Sequence, residues 1–387
     1  MASAQPPWLH SSLRRSHIKR VVKILDSRET SREDARTVVD SRSSHQDDST
    51  PPHLKDYYSC SVGQQSIHKR KNRYIQLEPY DRTRVLVPIP GDHREIGEEN
   101  HRYINANWVR EFAGGKWWIA GQAPLPETIH AFLTLSMHPT PPLSAHALPS
   151  SVPPPRRRVQ TIVQLTLLVE AGRQRAHPYF PDVLKENMII HPERGLNAPP
   201  IHIHVESEEH IAEAACVLTD LRLRWEIPPS NRTVDHEEWQ VTHLLYTAWP
   251  DFGVPRENHT ILNFARLVER VNNRNLLEGT SPKDAPPVLV HCSAGVGRTG
   301  SFVALCSLLR AHGLLAAGPP VMTPTIAPPL PQSPLGPLPP DLNNDLVARE
   351  VDALREQRQS MVQRPEQVAW IYSALADAFE DIAHSHS

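Results

Sequence analysis

The segment His291-Cys292-Ser293-Ala294-Gly295-Val296-Gly297-Arg298-Thr299-Gly300 holds the residues whose types and spacing could do chemistry. A small, glycine-rich loop lets successive backbone N–H groups converge on one point. A helix starting at its end adds orphan donors and a partial positive charge. Together they make an anion cradle. A cysteine at the head of such a cradle has its thiolate favoured over its thiol. Arg298 lies six residues after Cys292 and can return over the loop, forking two donors onto phosphate oxygens. A thiolate facing a phosphate-shaped hole suits nucleophilic attack on a phosphate monoester. Cys306, in the following helix, reads instead as an inert buried thiol.

The elements that must position this loop are legible around it. Val288, Leu289 and Val290 read as a short buried strand that runs into the loop. Residues 299–312 read as a helix with Phe302, Val303, Leu305, Cys306 and Leu309 apolar, ending at Gly313. Val217, Thr219, Leu221, Leu223 and Trp225 alternate with polar residues, the pattern of a half-buried strand. Residues 240–246 are its natural partner, across the turn-rich stretch at 228–231. Pro365 opens a last helix with Val368, Ile371, Tyr372, Leu375, Ala376 and Phe379 as its buried stripe. The mix predicts an α/β fold.

Composition removes several classes. The 387 residues carry a net charge of -2, which ranks nucleic-acid or membrane-surface binding low. No apolar run approaches the ~20 residues that span a bilayer. No apolar signal region opens the chain, so secretion is not expected. Four cysteines are too few for a disulfide framework, and a reducing, cytoplasmic setting, with the nucleus as an option, is the default. Of 39 prolines, 17 fall in two short stretches, which places Pro-rich surface insertions at about 138–158 and 313–343. Prolines at 328, 331, 334, 337 and 340 repeat with a period of three. That spacing allows either a stiff loop or a docking site at 328–340 for polyproline-reading domains.

Residues 1–54 are polar and read as a mostly disordered N-terminal extension. Within it, Ile18, Val21, Val22 and Leu25 follow helical spacing among Arg14, Arg15, Lys19, Arg20 and Lys23. A solvated basic helix, a mitochondrial-type leader and a docking peptide all fit. A catalytic domain is expected over 55–385.

The segment His291–Gly300 resembles the phosphate-binding loop of the protein tyrosine phosphatases. Further motifs follow that family's order: Lys71-Asn72-Arg73-Tyr74, then Tyr103-Ile104-Asn105-Ala106-Asn107, then 119–126, then Trp249-Pro250-Asp251-Phe252-Gly253, then Met361-Val362-Gln363-Arg364-Pro365-Glu366-Gln367. The resemblance implies a twisted mixed sheet flanked by helices and hydrolysis of protein phosphotyrosine through a cysteinyl-phosphate. Cys292 would be the nucleophile, with Ser293, Ala294, Gly295, Val296, Gly297 and Arg298 binding phosphate. Asp251, on a mobile loop begun by Trp249, would be the general acid and then the base. Gln363 would orient water, supported by Gln367. Thr299 would place a hydroxyl near the sulfur. His291, Glu170 and Arg175 would support, Glu170 by holding the phosphate-binding arginine and Arg175 by meeting the closed acid loop. Tyr74 would stack on the phenyl ring and set the depth of the cleft. No cofactor or metal is implied.

Departures from the family pattern touch the periphery. Gln76 stands for the usual acid, Arg102 for Asp, Ala123 for Gly, Leu133 for Trp and Arg364 for Thr. A basic cluster followed by Val22-x-Ile24 resembles kinase-docking peptides, which makes a mitogen-activated protein kinase a candidate partner through residues 14–25. The competing readings are a non-catalytic phosphotyrosine-binding module and a dual-specificity or lipid phosphatase. The first needs a lost Cys, Asp or Arg, and all three are present.

Overall fold

The computed structural model describes residues 5–37, 51–89, 100–140, 154, 155, 157–182, 184, 186–226, 236–251, 253–274, 276, 285–316 and 321–385. Helices are α1 Pro7–Ser12, α2 Arg15–Thr37, α3 Pro52–Tyr57, α4 Ser61–Gln64, α5 Ile129–Thr134, α6 Asn258–Asn273, α7 Gly297–Ala311, α8 Leu346–Gln357 and α9 Pro365–Ser385. Strands are β1 Arg84–Pro88, β2 His101–Arg110, β3 Trp117–Gly121, β4 Thr161–Gln164, β5 Val169–Glu170, β6 Arg173–Gln174, β7 Asn187–Ile190, β8 Ile201–Ile211, β9 Cys216–Glu226, β10 His236–Tyr246 and β11 Val288–His291.

Nine strands form one twisted mixed sheet in the order β1-β2-β3-β11-β4-β10-β9-β8-β7. The centre is parallel: β11 pairs in parallel with both β3 and β4, and β10 with β4. Antiparallel pairs extend the sheet on either side. The parallel strands are buried on both faces, which is why Val288, Leu289 and Val290 read as one continuous apolar run. Alternate residues still divide between two cores. Trp118, Val163, Val288 and Val290 join the side of α6 to α9, whereas Ile119, Ile162 and Leu289 join the side of α5. Ligands of open α/β sheets lie beyond the carboxyl ends of parallel strands. Here β3, β4, β10 and β11 all end on that side.

The strands expected at 217–225 and 240–246 pair directly, and the helices expected after 299 and from Pro365 are α7 and α9. The N-terminal extension departs from the expectation of disorder. Residues 7–37 are helical, and Leu9, Val21 and Leu25 are fully buried in the same core as α7 to α9. Burial of these apolar side chains and of Arg32 between Asp352 and Glu356 offsets the ordering entropy that the polar composition suggested could not be met. The described part of the second Pro-rich insertion, 321–343, is neither helix nor strand beyond one short turn. Arg110 and Arg28 tie it down by donating to the carbonyls of Pro328 and Gly336. Most of the first insertion lies outside the described residues. Among the described residues no helix is long and apolar enough to cross a membrane.

Candidate active site

Four loops converge beyond the parallel strand ends. The 292–296 loop follows β11, 122–126 follows β3, 165–175 follows β4, and 247–257 follows β10. The 292–296 loop closes tightly because Gly295 adopts φ +73°, and a Cβ there would lie 2.0 Å from the Gly121 carbonyl oxygen. Only glycine fits both demands. The Gly295 N–H points to Cys292 Sγ at 3.2 Å, and α7 begins two residues later.

Arg298 leaves the first turn of α7 and returns over the loop. It forms a two-pronged pair with Glu170, Nη1 to Oε1 at 2.6 Å and Nη2 to Oε2 at 2.9 Å. It also donates to the carbonyls of Leu165, Pro250 and Asp251. Burial works against the Glu170 carboxylate. The Arg298 bonds and charge, with Thr166 and Leu167 donating, still hold it below the usual carboxylate range. The acid loop is therefore docked on the arginine through its backbone. Trp249 Nε1 donates to the Gly253 carbonyl at 3.3 Å across this loop, and Gly253 takes φ +92°. Asp251 Oδ1 accepts from Arg175 Nη2 at 3.0 Å, while Oδ2 makes no hydrogen bond.

Tyr74 stands at the wall, its hydroxyl 2.8 Å from Ser293 Oγ, which in turn donates to the Arg175 carbonyl. The motifs around it are scaffolding. Asn72 Oδ1 accepts from Tyr103 and Asn105, and the Arg73 guanidinium donates to the carbonyls of Ala123 and Pro124. Gln122 ties the same segment through the Arg73 N–H at 2.8 Å.

One cleft is lined by Tyr74, Glu170, Arg175, Asp251, Cys292, Ser293, Ala294, Gly297, Arg298, Gln363 and Gln367. Gln363 is exposed there, whereas Gln367 is buried and accepts the Arg364 N–H at 3.1 Å. Gly295, Val296, His291, Trp249 and Thr299 lie behind this wall. His291 Nδ1 meets the Cys292 carbonyl at 3.1 Å and so donates, leaving Nε2 to accept from Tyr179 at 3.0 Å. Burial holds this imidazole neutral, with its pKa pushed down to about 4. The Thr299 hydroxyl is buried and makes no hydrogen bond. Helix packing fixes the residue, since Gly300 beside it lies against the Val362 backbone.

Sequence reasoning missed Arg358. It is fully buried behind the loop, donating to the carbonyls of Gly295 at 2.8 Å and Ala294 at 3.1 Å, and to Asn107 and Asn105 Oδ1 at 2.7 and 2.9 Å. Taking up those carbonyls leaves the loop amides to face the cleft. Burial lowers its pKa to about 10, so it stays charged at neutral pH. Its position next to the glutamine motif was the only signal, and adjacency alone names no role. Arg173 and Arg364 also line the cleft and were not assigned to it. The other departures find partners or room: Arg102 reaches His130, Thr134 and Glu193, and Leu133 is fully buried. Among the described residues no group of three or more His, Cys, Asp or Glu side chains is arranged to hold a metal ion.

Residues 68–137 and 156–314 match the family model described as Protein-tyrosine phosphatase. The chain is 30% identical to Tyrosine-protein phosphatase 99A of Drosophila melanogaster over 258 residues, covering 66% of this chain and 16% of the relative. It is 30% identical to Tyrosine-protein phosphatase Lar-like of Caenorhabditis elegans over 313 residues, 81% of this chain and 11% of the relative. It is 33% identical to Receptor-type tyrosine-protein phosphatase V of Rattus norvegicus over 241 residues, 62% of this chain and 11% of the relative. The chain thus spans between 11% and 16% of the length of these relatives.

Proposed function

The chain belongs to the protein-tyrosine phosphatase family, and on that premise we propose that it hydrolyses phosphotyrosine in proteins through a cysteinyl-phosphate. One observation carries the proposal. Cys292 Sγ, under the Gly295 N–H, shares a cleft with an Arg298 fork fixed by Glu170 and with the unbonded oxygen of Asp251. In the first step the thiolate forms a bond to phosphorus, the P–O bond to tyrosine breaks, and the Asp251 proton goes to the phenolate. In the second step a water oriented by Gln363 attacks phosphorus. Its proton passes to Asp251, and the S–P electron pair returns to sulfur. Arg298 and the loop amides are set to stabilise equatorial charge in both. The hydrogen bond of Tyr74 to Ser293 supports its role as a depth gauge.

The test is kcat/KM on one peptide bearing phosphotyrosine, phosphoserine or phosphothreonine in turn, with Cys292→Ser as the blank. Strong preference for phosphotyrosine, lost in the blank, is expected. Equal rates on all three would favour a dual-specificity enzyme. Binding without turnover would favour a phosphotyrosine-binding module.

The proposal extends to a non-receptor enzyme of the cytoplasm or nucleus in intracellular signalling. A thiol nucleophile keeps its reactivity where thiols stay reduced, and localisation of the tagged full chain tests this. A mitogen-activated protein kinase is proposed as a partner through residues 14–25. Arg15, Lys19 and Lys23 are exposed on α2 and Arg14 just before it, while Val21 and Leu25 are inside, so the contact would be made by the basic face. Polyproline-reading domains are a further proposed partner at 328–340, where Pro331, Pro337 and Pro340 are exposed.

A further inference from the structure

Helix α2 lies outside the residues matched to the family, yet it touches the turn that carries Gln363. Glu29 on α2 accepts the Ser360 backbone N–H at 3.1 Å and lies 3.5 Å from the Ser360 hydroxyl. Arg355 on α8 is fully buried and makes three bonds. Nε donates to the Met361 carbonyl at 2.9 Å, Nη2 to the Val362 carbonyl at 2.8 Å, and Nη1 to the Leu25 carbonyl of α2 at 2.9 Å. The turn they hold is a strained one. Ser360 and Val362 sit at φ +57° and +55°, a region that L residues, β-branched ones above all, adopt only where their surroundings impose it.

Both sides of that turn are pinned. Toward the phosphate loop, the Val362 N–H donates to the Val296 carbonyl at 3.2 Å. Toward the N-terminus, α2 is anchored on α8 by Arg32, which bonds Asp352 at 2.5 Å and Glu356 at 2.6 Å, and by Arg28, which bonds Asp352 at 2.9 Å. Gln363 follows directly on Val362, so its position depends on how this turn is held.

We propose that Glu29 and Arg355 are positioning residues for hydrolysis of the cysteinyl-phosphate, with α2 as the buttress that keeps Gln363 in register. The inference rests on the phosphatase reading. In the step concerned, the water oxygen bonds to phosphorus as the S–P bond breaks, the electron pair goes to Cys292 Sγ, the water proton goes to Asp251, and inorganic phosphate leaves. Formation of the cysteinyl-phosphate does not use Gln363. Loss of the Glu29 contact should therefore slow decay of the intermediate and spare its formation.

The experiment is rapid-quench measurement of formation and decay of the phosphoenzyme with a radiolabelled phosphotyrosine peptide and the full chain. Glu29→Ala is expected to slow decay about tenfold, which is about 1.4 kcal/mol, with formation within about twofold of the parent. Glu29→Gln keeps an oxygen for the Ser360 N–H and should recover most of the decay rate. Should the alanine variant not fold, Glu29→Asp carries the test, because it keeps the charge beside Arg32 and withdraws the acceptor by one carbon. Decay unchanged in a folded variant overturns the proposal. So does equal slowing of both steps in proportion to a fall in Tm, which would make α2 merely a stabilising element. If the parent chain itself forms no phosphoenzyme, the phosphatase reading fails instead, and that is seen before any variant is made.

Discussion

The front and the back of the phosphate loop are built on different principles. The front presents Cys292, the loop amides and Arg298 to an open cleft, and Arg298 is aimed by a carboxylate partner. The back is sealed. There Arg358 is fully buried, has no acidic partner among the described residues, and bonds four uncharged oxygens, two of them loop carbonyls. One arginine is placed to meet a ligand, and the other disposes of the carbonyl ends of the peptide groups whose N–H ends form the cradle. Peptide groups are dipoles, so a ring of inward amides implies a set of outward carbonyls that must be paired somewhere. The front can therefore be altered at a cost in chemistry, and the back only at a cost in folding.

The largest effect is expected at the front. Arg298→Lys keeps the charge but loses the fork that meets Glu170 and that the proposed reaction turns on phosphate. We expect kcat/KM on a phosphotyrosine peptide to fall by about three orders of magnitude, with Tm nearly unchanged. A large fall in Tm would mean that the Arg298–Glu170 pair is structural after all.

Next comes the back. Arg358→Met leaves the Gly295 and Ala294 carbonyls and two asparagine oxygens buried without a donor. Each orphaned acceptor costs about 1–3 kcal/mol before relaxation, so the variant should be destabilised by several kcal/mol in urea unfolding. Folded molecules that remain should bind phosphate weakly, because the amides are no longer held inward. A stable variant with parent-like activity would dissolve the distinction between the two faces.

The difference between the faces also explains what the sequence disclosed. Cys292, the loop amides and Arg298 sit within one short string, so their chemistry can be read from spacing. Asp251 and Tyr74 come from distant segments but carry their own local strings. The strand at 217–225 was legible because apolar and polar residues alternate along it, and 288–290 because a strand buried on both faces is apolar throughout. Arg358 was not legible, since its role arises when the 294–295 loop and the 105–107 strand segment meet around one guanidinium. Residues 7–37 were legible only in part: the helical spacing of Ile18, Val21, Val22 and Leu25 could be read, and the docking of the segment on α8 could not. The segment's composition is polar, and what orders it is burial of Leu9, Val21 and Leu25 together with ion pairs to Asp352 and Glu356, more than 300 residues away. Charged side chains that look solvated in sequence are buried once the partner helix α8 packs against them.

A smaller effect concerns acid. His291 and His243 are both buried behind the loop, and burial pushes their pKa values down to about 4 and about 3. In the unfolded chain they titrate near 6.5. Below that pH the unfolded state binds protons that the folded state refuses, so stability is full above about pH 6.5 and falls as pH drops toward the folded values. Each neutral histidine contributes up to about 1.4 kcal/mol per pH unit in this window. Unfolding free energy measured between pH 6.5 and 5 should thus decline, and His243→Asn should decline less steeply. Parallel slopes for parent and variant would show that the back is open to protons.

The smallest effect belongs to the rim. Arg364 lines the cleft with its side chain 55% exposed, and its ion pair to Glu366 is 3.6 Å long and half in water. A pair of this kind is worth between zero and about 1 kcal/mol, so Arg364→Thr should leave Tm where it is. What the guanidinium can still do is attract an acidic side chain on a bound peptide across water. KM for a phosphotyrosine peptide with flanking acids should rise about two- to threefold, less as salt is added, since screening shortens its reach to about 10 Å at 0.1 M. The same substitution should leave KM for a neutral phosphotyrosine peptide unchanged. If both peptides lose equally, Arg364 acts through Gln363 or Gln367 and not on substrate charge. The rim would then belong mechanically to the sealed side, held by the same turn that α2 supports.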